Sequence, residues 1–407
     1  MAYTQGQQNY GIAAAISDIP PSFSSSGLPR PIASTVQINS IASTSAAQGA
    51  GGLVTFSIPT GPSSGYIKNN SMYLRATITN ANAAPGADVK FALPSGSASS
   101  IINRLTVSVG SQQVCQINNY HYLSEMLLTH TTSRNFYTDD SAILQFTGLV
   151  PFPNAGPVAS VEVVIPIICP LFNSDKSFPA YLLNAPILVQ FDLNSVNNAF
   201  RGANLDIPSF TVSNAQLVYE AVLPDNEFVS MVKGGMAQGN LYQLNLRDFM
   251  TLTTASSGSL NYQIGCNLSS VNALLYTQVK NAPVNTADTV LLDNTQTNCR
   301  IYLDGRQINN FNLSSRSQIF AEMNRALGNM FDSNITTACT AATYLTTNFV
   351  GGVSCRRVSD EMAMCGTPAQ NVNLNLDSAG GANNTYIVIL YEQVLTIDGN
   401  GNVMLIK

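Results

Sequence analysis

The chain says nearly the same thing twice, and that internal repetition constrains its fold more than any other feature. In the first half a strand-like run from Arg104 to Val109 meets Gly110, then Gln112-Gln113-Val114, then Glu125-Met126 in a helical stretch, and closes on Tyr219-Glu220-Ala221-Val222-Leu223. The second half repeats the order: Arg300 to Leu303, Asp304-Gly305, Gln307-Ile308, Glu322-Met323, and finally Tyr391-Glu392-Gln393-Val394-Leu395. Such a period is far too long for a solenoid of short repeats. At 407 residues the chain also exceeds what one hydrophobic core normally serves, so two copies of one β-domain are expected.

Short runs of period-two apolar alternation, bounded by Gly, Pro, Asn and Ser, supply the strands. The first half contains eight: Leu53–Ile58, Met72–Thr79, Val89–Leu93, Arg104–Val109, Gln113–Ile117, Val161–Ile167, Ile187–Leu193 and Ala215–Leu223. Eight strands per unit fit a jelly roll, two four-stranded sheets face to face around one core. The second half offers Leu260–Cys266, Ala273–Val279, Val290–Leu292, Arg300–Leu303, Gln307–Phe311, Tyr344–Val350, Val372–Leu376, Thr385–Leu395 and Val403–Lys407. Helices are expected at Tyr120–Leu128, with Tyr120, Leu123, Met126 and Leu127 on one face, and around Ile319, Met323, Ala326, Leu327 and Met330. The expected fold class is therefore all-β: two tandem eight-stranded jelly rolls with short helices in inter-strand loops. Residues 1–50 read as an extended arm without a strand pattern, 51–225 as the first roll, 226–240 as a linker marked by Pro224, Gly234, Gly235 and Gly239, and 241–407 as the second roll.

Charged residues make up 10% of the chain, against about 25% in an average protein. Asn, Gln, Ser and Thr take their place. A surface so poor in charge points to burial against other subunits, whose interface cores are depleted in charge. The arm carries a single basic residue, Arg30, and the net charge is −5, which argues against direct nucleic-acid binding. Met1-Ala2-Tyr3-Thr4-Gln5-Gly6-Gln7-Gln8 lacks the basic and apolar regions of a secretory signal, so a chain that is not secreted is expected. The longest apolar run, Val161 to Phe172, is too short to span a bilayer. Seven cysteines, odd in number and without a CxxC pair, read as free buried thiols in a reducing compartment rather than a disulfide framework or zinc site.

Three stretches make the chain resemble the double jelly-roll major capsid proteins of the adenovirus and tectivirus lineage of icosahedral viruses. One is Leu105-Thr106-Val107-Ser108-Val109-Gly110-Ser111-Gln112-Gln113-Val114, similar to the family's strand–Gly–strand segment, although Ser111 here separates the Gly from the Gln. Another runs from Val164-Ile165-Pro166-Ile167 to Ser177-Phe178-Pro179-Ala180-Tyr181-Leu182-Leu183-Asn184-Ala185-Pro186-Ile187-Leu188-Val189, with the family's Pro- and Leu-rich punctuation. The third is the duplicated closing strand around Tyr219 and Tyr391. The resemblance implies a homotrimer of pseudo-hexagonal outline, trimer–trimer contacts tiling an icosahedral shell, vertex and minor capsid proteins as partners, an internal virion membrane in some members, and a place in the virion capsid after assembly in the host cell. The long segments Thr129–Ala159 and Leu313–Thr343 would then form towers or subunit contacts.

Catalytic chemistry is poorly supplied, and no enzyme is expected. His121 and His130 are the two histidines; a Cys115–His pair oriented by Glu125, Asp139 or Asp140 is conceivable, but polar surface histidines are the plainer reading. Asp398-Gly399-Asn400-Gly401-Asn402 begins like a calcium loop, then places Val403 where that loop requires Gly, and reads as a hairpin turn. The sequons at Asn69, Asn267, Asn312, Asn334 and Asn383 read as unmodified, and Arg356-Arg357 as a solvated loop or an inter-subunit ion pair. No catalytic, cofactor or metal residues are assigned. The alternative to a capsid subunit is a secreted or surface tandem β-sandwich binding protein, an adhesin or lectin.

Overall fold

A computed structural model describes residues 34–80, 90–133, 160–201, 209–280, 290–293, 296–309, 311–328, 339–357, 364–378 and 382–407. Its first half holds β1 (Ser34–Ala42), β2 (Ala47–Gly49), β3 (Leu53–Ile58), β4 (Tyr66–Ile67), β5 (Tyr73–Asn80), β6 (Lys90–Phe91), β7 (Ile102–Val109) and β8 (Gln112–Asn118). Helix α1 (Tyr120–Thr131) follows, then β9 (Ser160–Pro166), β10 (Ile187–Leu193), β11 (Phe200–Arg201) and β12 (Phe210–Pro224). Helix α2 (Asn226–Ala237) leads into β13 (Tyr242–Ser257), β14 (Leu260–Lys280), β15 (Gln296–Leu303) and β16 (Arg306–Gln307). Helices α3 (Arg316–Leu327) and α4 (Ala341–Thr346) precede β17 (Gly351–Ser354), β18 (Thr367–Ser378), β19 (Ala382–Ile397) and β20 (Val403–Ile406).

Among the described residues the first half forms two main sheets, ordered β1-β12-β5-β9, with β2 and β4 also on β12, and β3-β10-β7-β8, besides the small two-stranded pair β11-β6, to which the expected strand Val89–Leu93 is reduced. Alternation makes them a sandwich: Val54, Phe56 and Ile58 of β3 and Ile187, Val189, Phe191 and Leu193 of β10 point to one buried face while their neighbours along each strand do not. In the second half β14 serves both layers. Its first part, from Leu260, pairs with β18 up to Val271, and from Val271 onward it pairs with β19, with register shifts marking the crossing. The layers are thus β13-β19-β14-β17 and β14-β18-β15-β16. Strand for strand these orders match the first half, with β1 answering to β13, β12 to β19, β8 to β16 and α1 to α3. The chain has the double jelly-roll fold, and the repeated residues fall at equivalent places. Gly110 (φ +57°) and Gly305 (φ +79°) each turn a hairpin, β7–β8 and β15–β16, whose two-residue loop needs a positive φ. Tyr219 and Tyr391 lie on the equivalent strands β12 and β19, and Met126 and Met323 are buried on the two equivalent helices.

Several expectations need correction. Residues 34–49 of the supposed arm are not strandless: β1 is the edge strand of the first sheet, paired with β12 from Ser34 opposite Pro224 to Ala42 opposite Gln216. The apolar alternation Val36-Gln37-Ile38-Asn39 is present in the sequence, and on this edge strand Val36 and Ile38 are exposed rather than buried. Residues 1–33 lie outside the described residues. Strand β13, absent from the expected set, pairs with β19 along its whole length. Residues 226–237 of the expected linker form α2, capped by Asp225 and anchored through Phe228, Val229, Val232 and Met236. Tyr344–Val350 begins as helix, because the Thr340 and Thr343 side chains and amides close a capping box over α4. Val290–Leu292 makes only isolated bridges.

Candidate assembly interface

Helix α1 shows how the two rolls meet. Its stripe of Tyr120, Leu123 and Met126 is buried as expected, but His121, Ser124, Glu125, Thr129 and His130 are buried too. The second roll covers the end of the helix: His130 Nε2 lies 3.0 Å from the Asn348 carbonyl oxygen, Cys339 N donates to Thr129 O at 3.0 Å, and Tyr122 packs on Tyr386 at 5.6 Å between ring centroids. The histidines are therefore not surface groups. Burial pushes His130 down to about 4, against the opposing pull of the Asn348 carbonyl, and His121 down to about 3. His121 Nδ1 sits 3.2 Å from Asn194 Nδ2, and Glu125 accepts from the Ser95 amide at 3.0 Å and from its hydroxyl.

No Cys–His pair forms from the residues considered. Cys115 Sγ is 3.6 Å from Cys169 Sγ, and that neighbour together with burial pushes the Cys115 thiol well above its usual range, the opposite of an activated thiolate. Asp139 and Asp140 lie outside the described residues. None of the seven cysteines forms a disulfide, and five are buried. The Asp398 carboxylate is engaged by its own turn, accepting from the Asn400 and Asn402 amides and the Asn402 side chain, which makes the segment the β19–β20 hairpin turn. That turn sits against the first roll, where Asn184 Nδ2 donates to Asn400 O at 2.7 Å. Arg357 Nε donates to Gly366 O. Among the described residues no group of three or more His, Cys, Asp or Glu side chains is placed to hold a metal ion.

The organised polar chemistry lies in the seam where β8, the last strand of its sheet, meets β13, the first strand of its own. Asn118 N donates to Thr251 Oγ1 at 2.8 Å, Asn119 Nδ2 to Thr253 Oγ1 at 2.9 Å, and Tyr386 OH to Asn118 O at 3.1 Å. Gln393 Nε2 reaches Val114 O at 3.3 Å and Asp248 Oδ2 at 3.0 Å. Asp248 is buried beside a cavity of about 300 Å³ lined by residues of both rolls, among them Val114, Cys115, Thr251 and Tyr391. Burial lifts its carboxyl to about 6, although Tyr391 OH at 2.7 Å, the Phe249 amide and Gln393 all favour the charged form. Sequence reasoning missed this seam. Its one legible signal was the repeated Tyr391, and nothing local in Arg247-Asp248-Phe249 distinguishes a buried acid from a solvated one.

What the chain leaves uncovered is as informative. On β1, Ile38 is 74% and Val36 62% exposed, and Phe311, just beyond β16, is 49% exposed. Strands β1 and β16 end the outer sides of their sheets.

No protein-family model matches the chain, and no curated protein matches it. Solved structures do. VP54 of PBCV-1, as fitted into a reconstruction of the virophage Sputnik, superposes with a TM-score of 0.63 at 14% identity, over 95% of this chain and 100% of that one. The Faustovirus major capsid protein gives 0.60 at 8% identity, over 95% and 92% of the two chains. The mavirus major capsid protein gives 0.50 at 11%, over 94% and 91%. At these identities the likeness is one of fold, and it runs through both rolls.

Proposed function

We propose that this chain is the major capsid protein of an icosahedral virus, acting by self-association and without catalysis. The observation that carries the reading is end-to-end likeness: the double roll matches solved major capsid proteins over nearly all of both chains. The surface supports it independently. A chain with 10% charged residues and apolar side chains such as Ile38 and Phe311 exposed at its sheet ends has surface suited to burial against other subunits. In this reading residues 51–225 and 241–407 are the two rolls, joined through 226–240, and the first roll extends back to Ser34. Three copies form a capsomer with six rolls, and capsomers tile the shell through smaller contacts, alongside vertex and minor capsid proteins. The acidic balance of the chain favours protein or membrane, not nucleic acid, on the inner side. Native mass determination tests the reading: a species about three times the 43.3 kDa chain, assembling into shells visible by electron microscopy, is expected. A stable monomer at micromolar concentration would overturn it and return attention to an adhesin or lectin role.

A further inference from the structure

Cys115 and Cys169 bring two thiols into contact that self-association leaves unused. Their sulfurs lie 3.6 Å apart, both buried, although 54 positions separate them in the chain. Cys115 sits on β8, the end strand of one sheet of the first roll, and Cys169 follows β9, the end strand of the other. A bulge aims Cys115 inward: the β7–β8 ladder slips between Val107 and Ser108, so the successive residues Val114 and Cys115 are both buried where plain alternation would bury one. Cys169 is held from its own side, its amide donating to the Asn173 side-chain oxygen at 2.6 Å and the preceding Ile168 amide to Tyr120 OH at 2.9 Å. At the same place in the second roll the Ile308 amide donates to the carbonyl of Ile301, which answers to Val107. An apolar side chain thus serves the core there, and the jelly roll does not require a thiol.

We infer that Cys115 and Cys169 are a redox lock: a disulfide between them, made when the folded chain meets a peroxide, joins the two sheets of the first roll beside the seam. The sulfurs have to close by about 1.6 Å to bond. Cys115 also lines the seam cavity of about 300 Å³, which gives a molecule as small as hydrogen peroxide a place to react. The Cys115 thiolate attacks one peroxide oxygen, the O–O bond breaks, and hydroxide leaves and takes up the thiol proton as water. The sulfenic acid left on Cys115 is attacked by the Cys169 sulfur, the S–O bond breaks, and a second water leaves with the Cys169 proton. Two thiols are oxidised to one disulfide, and one peroxide is reduced to two waters. The neighbouring Cys169 and burial hold the Cys115 thiol well above its usual range, so thiolate is scarce and the reaction slow. The lock therefore answers lasting oxidation, as on leaving a reducing cell interior, and not a brief pulse. Formation of the bond stands apart from the self-association proposed above; its use, hardening an assembled shell, rests on that reading.

The test adds hydrogen peroxide to the native, fully reduced, full-length chain, then denatures it in iodoacetamide for mass spectrometry. Expected are a chain lighter by two hydrogens, a linked peptide pair carrying Cys115 and Cys169, and a melting temperature higher by about 5 °C that dithiothreitol reverses. Cys169→Ser should show none of the three. A wild-type chain that stays unlinked, or whose bond maps to other cysteines, overturns the lock whether or not that variant folds. Where shells form, oxidised ones should dissociate at higher urea than reduced ones. Equal dissociation with the link in place overturns the hardening role and leaves the bond and the capsid reading standing. A monomeric wild type that still links Cys115 to Cys169 overturns the capsid reading and the hardening role together, but not the bond.

Discussion

His121 and His130 are neutral in the fold because α1 is closed in on both sides, one by its own roll and one by the next. A histidine kept neutral binds its proton only in the unfolded chain, so its contribution is fully present above pH 6.5 and is lost as pH falls from 6.5 toward about 4 for His130 and about 3 for His121. Complete loss amounts to roughly 3 kcal/mol for His130 and somewhat more for His121. Asp248 has the opposite sign: its folded form takes a proton near pH 6 while the unfolded form waits until about 3.8, so acidification across that window stabilises the fold. Melting temperature followed from pH 7.5 to 4.5 should fall in wild type, fall more steeply in Asp248→Asn, and fall less steeply in His130→Gln. Parallel curves for the three would show that other groups carry the acid response. Asn is a fair replacement, since Asn39 already fills the equivalent place beside Tyr219.

At the scale of elements, β1 decides where the first roll begins. It forms a ladder along most of β12, and without it that strand would present a row of unpaired amides and carbonyls from Gln216 to Pro224. Deleting residues 1–45 is therefore expected to abolish soluble, cooperatively folded protein, whereas a strandless arm would have been dispensable. Recovery of that truncation with a native melting temperature would contradict the role given to β1. The strands legible beforehand were those with one buried face, such as Leu53–Ile58 and Ile187–Leu193, whose bounds match β3 and β10. The short β16 was overestimated because Gln307–Phe311 looks strand-like locally, but Asn309 turns its side chain back to the Cys299 and Phe311 carbonyls and ends the ladder.

For the whole molecule, the seam makes the two rolls one body. Hydrogen bonds from Asn118, Tyr386 and Gln393, half-buried to buried, cross it, and losing a fully buried acceptor costs about 1–3 kcal/mol. Calorimetry should show a single transition that Thr251→Val shifts downward as a unit; two resolved transitions would mean that the rolls unfold independently. The amino-acid sequence by itself determined the duplication, the strands with one buried face and the hairpin glycines, because alternation and positive-φ turns are local properties of neighbouring residues. Only the tertiary structure decided that β1 belongs to the first sheet, that α1 is buried with its histidines, and that Asp248 is an interior acid. Each of these depends on what packs across from a residue, and its partner lies tens to hundreds of positions away in the chain.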